Sequence, residues 1–215
     1  MAITVEEMFS VLEHCFEEQT GTTSLWHESE PSAPDVMAAY TLEALPGLVL
    51  REHYHNFLLW HVEDEARRKD VDDSVIADCK RRIDKLNQQR NDWIEEVDRC
   101  LCDLLRPLTP SDASSRQNTE TAGMAIDRLS ILALKIYHME EQTLREDVDA
   151  RHIQACEDKL AVLRQQRAGL ARALLELVSD YAAGRKIPVL YSQFKMYNDP
   201  SLNPQLYGKQ AKSRN

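Results

Sequence analysis

Between Ile76 and Val97 a stripe of apolar residues, Ile76, Cys79, Ile83, Leu86, Trp93 and Val97, recurs at steps of three, four or seven. That is the spacing of a helix buried along one side. It predicts a helix from about Ser74 to Leu105, preceded by another from about Pro46 to Arg68. The pattern then returns, from about Thr119 to Arg145 and from about Arg151 to Ala183. The joints are "KDVDDS" and "EDVDAR", whose aspartates suit the free amide hydrogens of a helix start. Gly184 is a natural stop for the last of these helices. Upstream, "TVEE" at Thr4–Glu7 has the form of a capping box and predicts a short helix ending near Glu18. "SAPD" at Ser32–Asp35 marks a second N-terminal helix.

A shift of 77 residues lays His61–Trp93 on His138–Leu170 with 12 of 33 positions identical, among them two "QQR" runs. The expectation is an internal duplication. Two helical hairpins with matching apolar stripes pack as an all-α four-helix bundle. The chain then reads as one domain, with N-terminal helices over 1–45, hairpins over 46–105 and 119–184, and a linker over 106–118. Residues 185–215 form an irregular C-terminal strap and tail.

Composition narrows the function classes. The 215 residues are 29 % charged and 43 % apolar, with only six glycines and eight prolines. That suits a helical, soluble domain. A net charge of −10 argues against nucleic acid, because phosphate binding needs a basic face. The start lacks the form of an export signal, and no apolar run nears the ~20 residues that span a bilayer. Five cysteines without CxxC spacing read as free thiols in a reducing cytoplasm, with Cys100 and Cys102 as core.

Candidate chemistry lies in the repeated phrase. Tyr54, Phe57, His61, Asp64 and Arg68 share one helical stripe, as do Ile131, Leu134, His138, Glu141 and Arg145. Arg90 and Arg167 follow the apolar stripe of the second helix in each hairpin. Glu63 and Glu140 point to a neighbouring seam. One reading is a purely structural network, with Asp64–Arg68 and Glu141–Arg145 as i,i+4 pairs and Arg90 and Arg167 neutralising Glu63 and Glu140. A dinuclear metal centre fits poorly, since arginines occupy the layer where carboxylates are required. Glu95-x-x-Asp98 matches half of an acidic nucleotide-pyrophosphohydrolase motif and has no second copy.

The anion-site reading suits the residue types better. His61 and His138 would carry protons, Arg68, Arg90, Arg145 and Arg167 would clamp an anion, and the acids would orient them. No metal and no cofactor is expected. The function expected is binding of a small anionic metabolite between the repeats, with or without catalysis. The rival is a non-catalytic protein that binds a protein partner, its polar layer serving stability alone.

The phrases "NFLLWHVEDEAR" (Asn56–Arg67), "IDKLNQQRND" (Ile83–Asp92), "RLSILALKIYHMEEQ" (Arg128–Gln142) and "QFKMYNDPSLNP" (Gln193–Pro204) resemble the DUF4254 family, bacterial proteins of unassigned function. "LWH" at Leu25–His27 resembles that family's early Trp-His. The resemblance implies that Lys195, Tyr197 and Asn198 of the strap meet the bundle near the repeated polar layer. It also points to a sugar-phosphate or nucleotide-sugar as the ligand class. For Trp26 and His27 the expectation is a packed aromatic beside a surface histidine.

Overall fold

The computed structural model describes residues 3–194 and 196–206. Five α-helices carry the fold: α1 (Val5–Glu28), α2 (Leu45–Glu65), α3 (Asp73–Leu105), α4 (Ala122–Thr143) and α5 (Ala150–Ala182). Single 3-10 turns occupy Arg106–Leu108 and Met196–Asn198. No strand occurs among the described residues. The all-α bundle expected from the apolar pattern is the fold.

The second and fourth helices start at Leu45 and Ala122, and the third and fifth run Asp73–Leu105 and Ala150–Ala182, the same offset throughout. Residues separated by that offset also face each other. His53 meets Ser130 and, about two turns on, His61 lies beside His138. Two neighbouring helices match equivalent positions at two levels only when they run the same way, so α2 and α4 are parallel. Their hairpin partners α3 and α5 return beside them.

The helix α1 packs against α2, α4 and α5. Its Met8, Leu12 and Phe16 enter a core with Leu45, Leu48, Val97, Leu101, Ile126, Leu129, Leu174 and Val178. It opens on the capping box expected, with Thr4 Oγ1 accepting from the Glu7 N–H and Glu7 accepting from the Thr4 N–H. It does not stop near Glu18. Thr20, Thr22 and Thr23 donate their hydroxyls to carbonyls one turn back, and Gly21 faces open space, so the helix continues to Glu28. Ser32–Asp35, expected to begin a helix, carries no regular secondary structure.

Burial falls on nearly every side of α2: Leu45, Leu48, Val49, Phe57, Leu59 and Val62 are joined there by Glu52, His53, His55 and Asn56. A helix buried all round must find internal partners for its polar groups. That requirement shapes the polar layer described below.

The first turn of α4 is seated on α3. The Gly123 N–H donates to Asp98 Oδ1 at 2.6 Å, and a Cβ at Gly123 would lie 2.7 Å from that oxygen. Burial pushes the Asp98 carboxyl up to about 6. Glu95 holds Arg99 at 3.1 Å and accepts the Gln193 N–H at 2.8 Å. The acidic pair on α3 therefore joins structural elements. At the hairpin turns, Asp149 accepts the His152 N–H at 2.8 Å, whereas Asp72 makes no side-chain cap bond. Gly184, at φ +66°, ends the last helix as expected.

Beyond Gly184 the strap crosses the linker, Ile187 N–H donating to the Arg116 carbonyl at 3.0 Å, and then follows α3. Phe194 on this strap is 85 % exposed. All five cysteines are free and buried, and burial pushes the Cys15 and Cys100 thiols up to about 12, as befits core. No helix among the described residues is long and apolar enough to cross a membrane.

Candidate functional site

The arginines expected to form one clamp are dispersed. Because α2 ends at Glu65 and α4 at Thr143, Arg68 and Arg145 fall in the turns that follow and leave the helical stripe. Each is drawn outward by the aspartate two residues on, Arg68 to Asp70 at 2.9 Å and Arg145 to Asp147 at 2.7 Å. Arg167 donates to the Phe16 carbonyl of α1, and Arg90 lies 3.7 Å from Asp127. Glu63 pairs with Arg67 and Glu140 with Arg164. The expected pairs with Arg68, Arg145, Arg90 and Arg167 are thus replaced by other partners. Asn198 donates to Gln88 at 3.4 Å, two residues from Arg90. Lys195 and the side chain of Tyr197 lie outside what is described.

The two repeated histidines do come together, and a third joins them. His27, His61 and His138 place one ring nitrogen each within 4.8 Å of the others. All three sit in the last turns of their helices, α1, α2 and α4. His27 Nδ1 is 2.7 Å from the Thr23 carbonyl, which can only accept, so Nδ1 carries the proton. His138 Nδ1 is 2.7 Å from Glu141 Oε2 and is fixed in the same way. That leaves Nε2 of each ring as the lone-pair nitrogen, and both Nε2 atoms are buried without a hydrogen-bond partner. His61 is exposed. Burial, and then the neighbouring His27 and His138, hold it below the usual histidine range, with Asp64 and Glu141 pulling the other way. Tyr137 stacks on His27 at 4.0 Å and Trp60 stacks on His138 at 4.7 Å, so the rings are braced from outside.

About two turns below lies a second polar group, which the sequence reading did not pick out. His53 bonds Ser130 Oγ through Nδ1 at 2.7 Å and Thr23 Oγ1 through Nε2 at 3.0 Å. Since the Thr23 hydroxyl donates to the Gln19 carbonyl, His53 Nε2 must donate to Thr23 and Nδ1 must accept from Ser130. Burial, and then the charge of Arg167, push His53 down to about 3, so it is neutral. Asn56 Nδ2 is shared among Ser130, Asp127 and Glu52. Burial and then the Asp127 charge hold Glu52 well above the usual carboxylate range. The sole signal for this layer was position: His53 is eight residues before His61 on the same face of α2. Its partner in the other hairpin is a serine, so the repeat did not advertise it.

The outer end of this layer opens into a cleft of about 400 Å³ between α2, α3 and α4, lined by Asn56, Trp60, Glu63, Asp64, Arg67 and Arg90. Arg90 Nε is buried there without a hydrogen-bond partner. On the other side of Trp60 a second, mostly apolar cleft of about 610 Å³ carries Lys135, His138 and Lys159. A third cleft, about 970 Å³, lies between the 36–40 segment and α3, and its charged residues, Asp92 and Glu96, are acids.

A family model described as a protein of unknown function, DUF4254, matches residues 47–189, from the first turn of α2 into the strap. No curated protein and no solved structure matches the chain.

Proposed function

The chain belongs to the DUF4254 family, whose function is unknown, and on that premise we propose that it binds a small anionic metabolite of the sugar-phosphate type. The site is the cleft between α2, α3 and α4. The observation that carries the reading is Arg90, whose buried Nε makes no hydrogen bond and faces the Asp127 carboxylate only at 3.7 Å. A forked guanidinium with a spare donor is suited to phosphate. Trp60 offers a flat wall for a sugar ring, and Asn56, Glu63 and Asp64 offer acceptors for its hydroxyls. The 970 Å³ cleft suits such a ligand less well, because no basic side chain among the described residues lines it to offset Asp92 and Glu96. The equal offsets of the helix pairs support an internal duplication, and with it a cleft between the two repeats.

A thermal-shift panel of sugar phosphates, nucleotides and nucleotide-sugars tests the reading. A ligand at 100 times its Kd stabilises by about 2.7 kcal/mol, which at ~2–4 °C per kcal/mol is a shift of roughly 5–10 °C. Arg90→Lys keeps a charge for Asp127 but removes the fork, and should weaken binding by about tenfold or more. A panel without any shift, or a ligand indifferent to Arg90→Lys, overturns the proposal.

A further inference from the structure

We propose that His27, His61 and His138 bind one divalent transition-metal ion of the zinc class. This goes beyond the cleft reading and does not depend on it. Three imidazole nitrogens with a fourth position left to water are a donor set that zinc accepts, whereas magnesium and calcium prefer oxygen.

Four observations point the same way. The ring nitrogens of the three residues lie within 4.8 Å of one another. Tetrahedral zinc at ~2.0–2.1 Å from each nitrogen sets them about 3.4 Å apart, so the rings draw in by up to about 1.4 Å. His61, exposed and without a hydrogen bond among the described residues, is the ring free to turn. Second, His27 and His138 already have the outer support that metal-ligating histidines use, a carbonyl on one Nδ1 and a carboxylate on the other. This presents the unprotonated Nε2 atoms inward, where neither finds a protein donor.

Third, the cluster sits where three helices end. The helices α1, α2 and α4 finish at Glu28, Glu65 and Thr143, each within five residues of its histidine. Helix C-termini carry partial negative charge and favour cations. Fourth, Asp64 and Glu141 both act on His61 through their charge and add to that field, and the guanidinium groups expected from sequence lie elsewhere. An anion among these histidines would be opposed; a cation is favoured. The exposed side of His61 is the entry path.

The test uses the chelator-stripped full chain, titrated with Zn²⁺ and with Co²⁺, read by calorimetry and by the visible d–d absorption of bound cobalt. The proposal expects one equivalent bound and a four-coordinate cobalt spectrum. His61→Ala, whose site is exposed and should fold normally, should weaken binding by more than the roughly 10–100-fold expected for losing an outer hydrogen bond to a ligating ring, and Glu141→Gln by that smaller range. His152 and Cys156, 3.4 Å apart on α5, are the competing pair. No uptake of either ion overturns the proposal. So does uptake undiminished in His61→Ala, or uptake lost only in His152→Ala.

Discussion

His53 and His61 sit on one face of α2 about two turns apart, each beside the residue 77 positions on, and they have opposite fates. His53 is fully buried and both its nitrogens are bonded, one to Ser130 and one to Thr23. His61 lies at the rim, with two rings beside it whose inward nitrogens are unpartnered. Inside the bundle every unmet polar group adds a desolvation cost, so bonding both ring nitrogens of His53 serves stability. At the rim, the Nε2 atoms of His27 and His138 stay unpartnered while their Nδ1 atoms are held by outer partners, the arrangement on which the metal proposal rests. Residue type alone does not separate structure from site; the satisfaction of each atom does.

The sharpest way to break this comparison is by pH. His53 is depressed in the folded chain to about 3 from an ordinary 6.5, so the unfolded chain takes up a proton that the native chain refuses. Stability from this group is fully present above about 6.5 and falls by about 1.4 kcal/mol per pH unit below it, up to about 5 kcal/mol near pH 3. His53→Gln should lose that slope in denaturant titrations across pH 4–7. A wild-type His53 ring that titrates by NMR above pH 5 would remove the distinction drawn here.

Next in size, Asn56→Ala removes the donor shared by Ser130, Asp127 and Glu52 and should cost about 2–4 kcal/mol in chemical denaturation. Gly123→Ala pushes a Cβ against Asp98 and lifts the helix that carries both Ser130 and His138. About 1–3 kcal/mol is expected, and a melting temperature equal to wild type would show that α4 has room to shift. Smallest, His61→Ala should change metal-free stability by no more than about 0.5 kcal/mol. A large loss of stability there would place His61 with His53 as a structural residue.

Much of this was legible in the sequence, and the failures have physical causes. The 3.6-residue period located the four hairpin helices, because each has a long apolar stripe that only burial explains. The N-terminal helix was expected to end near Glu18 and instead runs to Glu28. Threonine hydroxyls bonding back to the helix carbonyls let it continue, and that added turn delivers His27. Arg68 and Arg145 were assigned inward by extending the stripe past helix ends that aspartates two residues on, Asp70 and Asp147, help to define. Glu52, Asn56 and Asp127 went unnoticed because the layer is completed by Asp127 and Ser130 from another helix, and periodicity cannot show which polar groups meet across helices. His61 and His138 were chosen correctly as neighbours across the repeats; that the third ring would come from the first helix had no signal in the repeat.

The membership of His27 has a consequence for biosynthesis. A ribosome adding about 5–20 residues per second makes His27 well before His138, and the 111 positions between them take roughly 6–22 s to translate at that rate. During that interval the Met8–Leu12–Phe16 face of the first helix can meet Leu45 and Leu101 but not Ile126, Leu129 or Leu174, which are not yet made. The emerging chain therefore carries that face only partly covered, and the three-ring cluster cannot close until α4 has been synthesised.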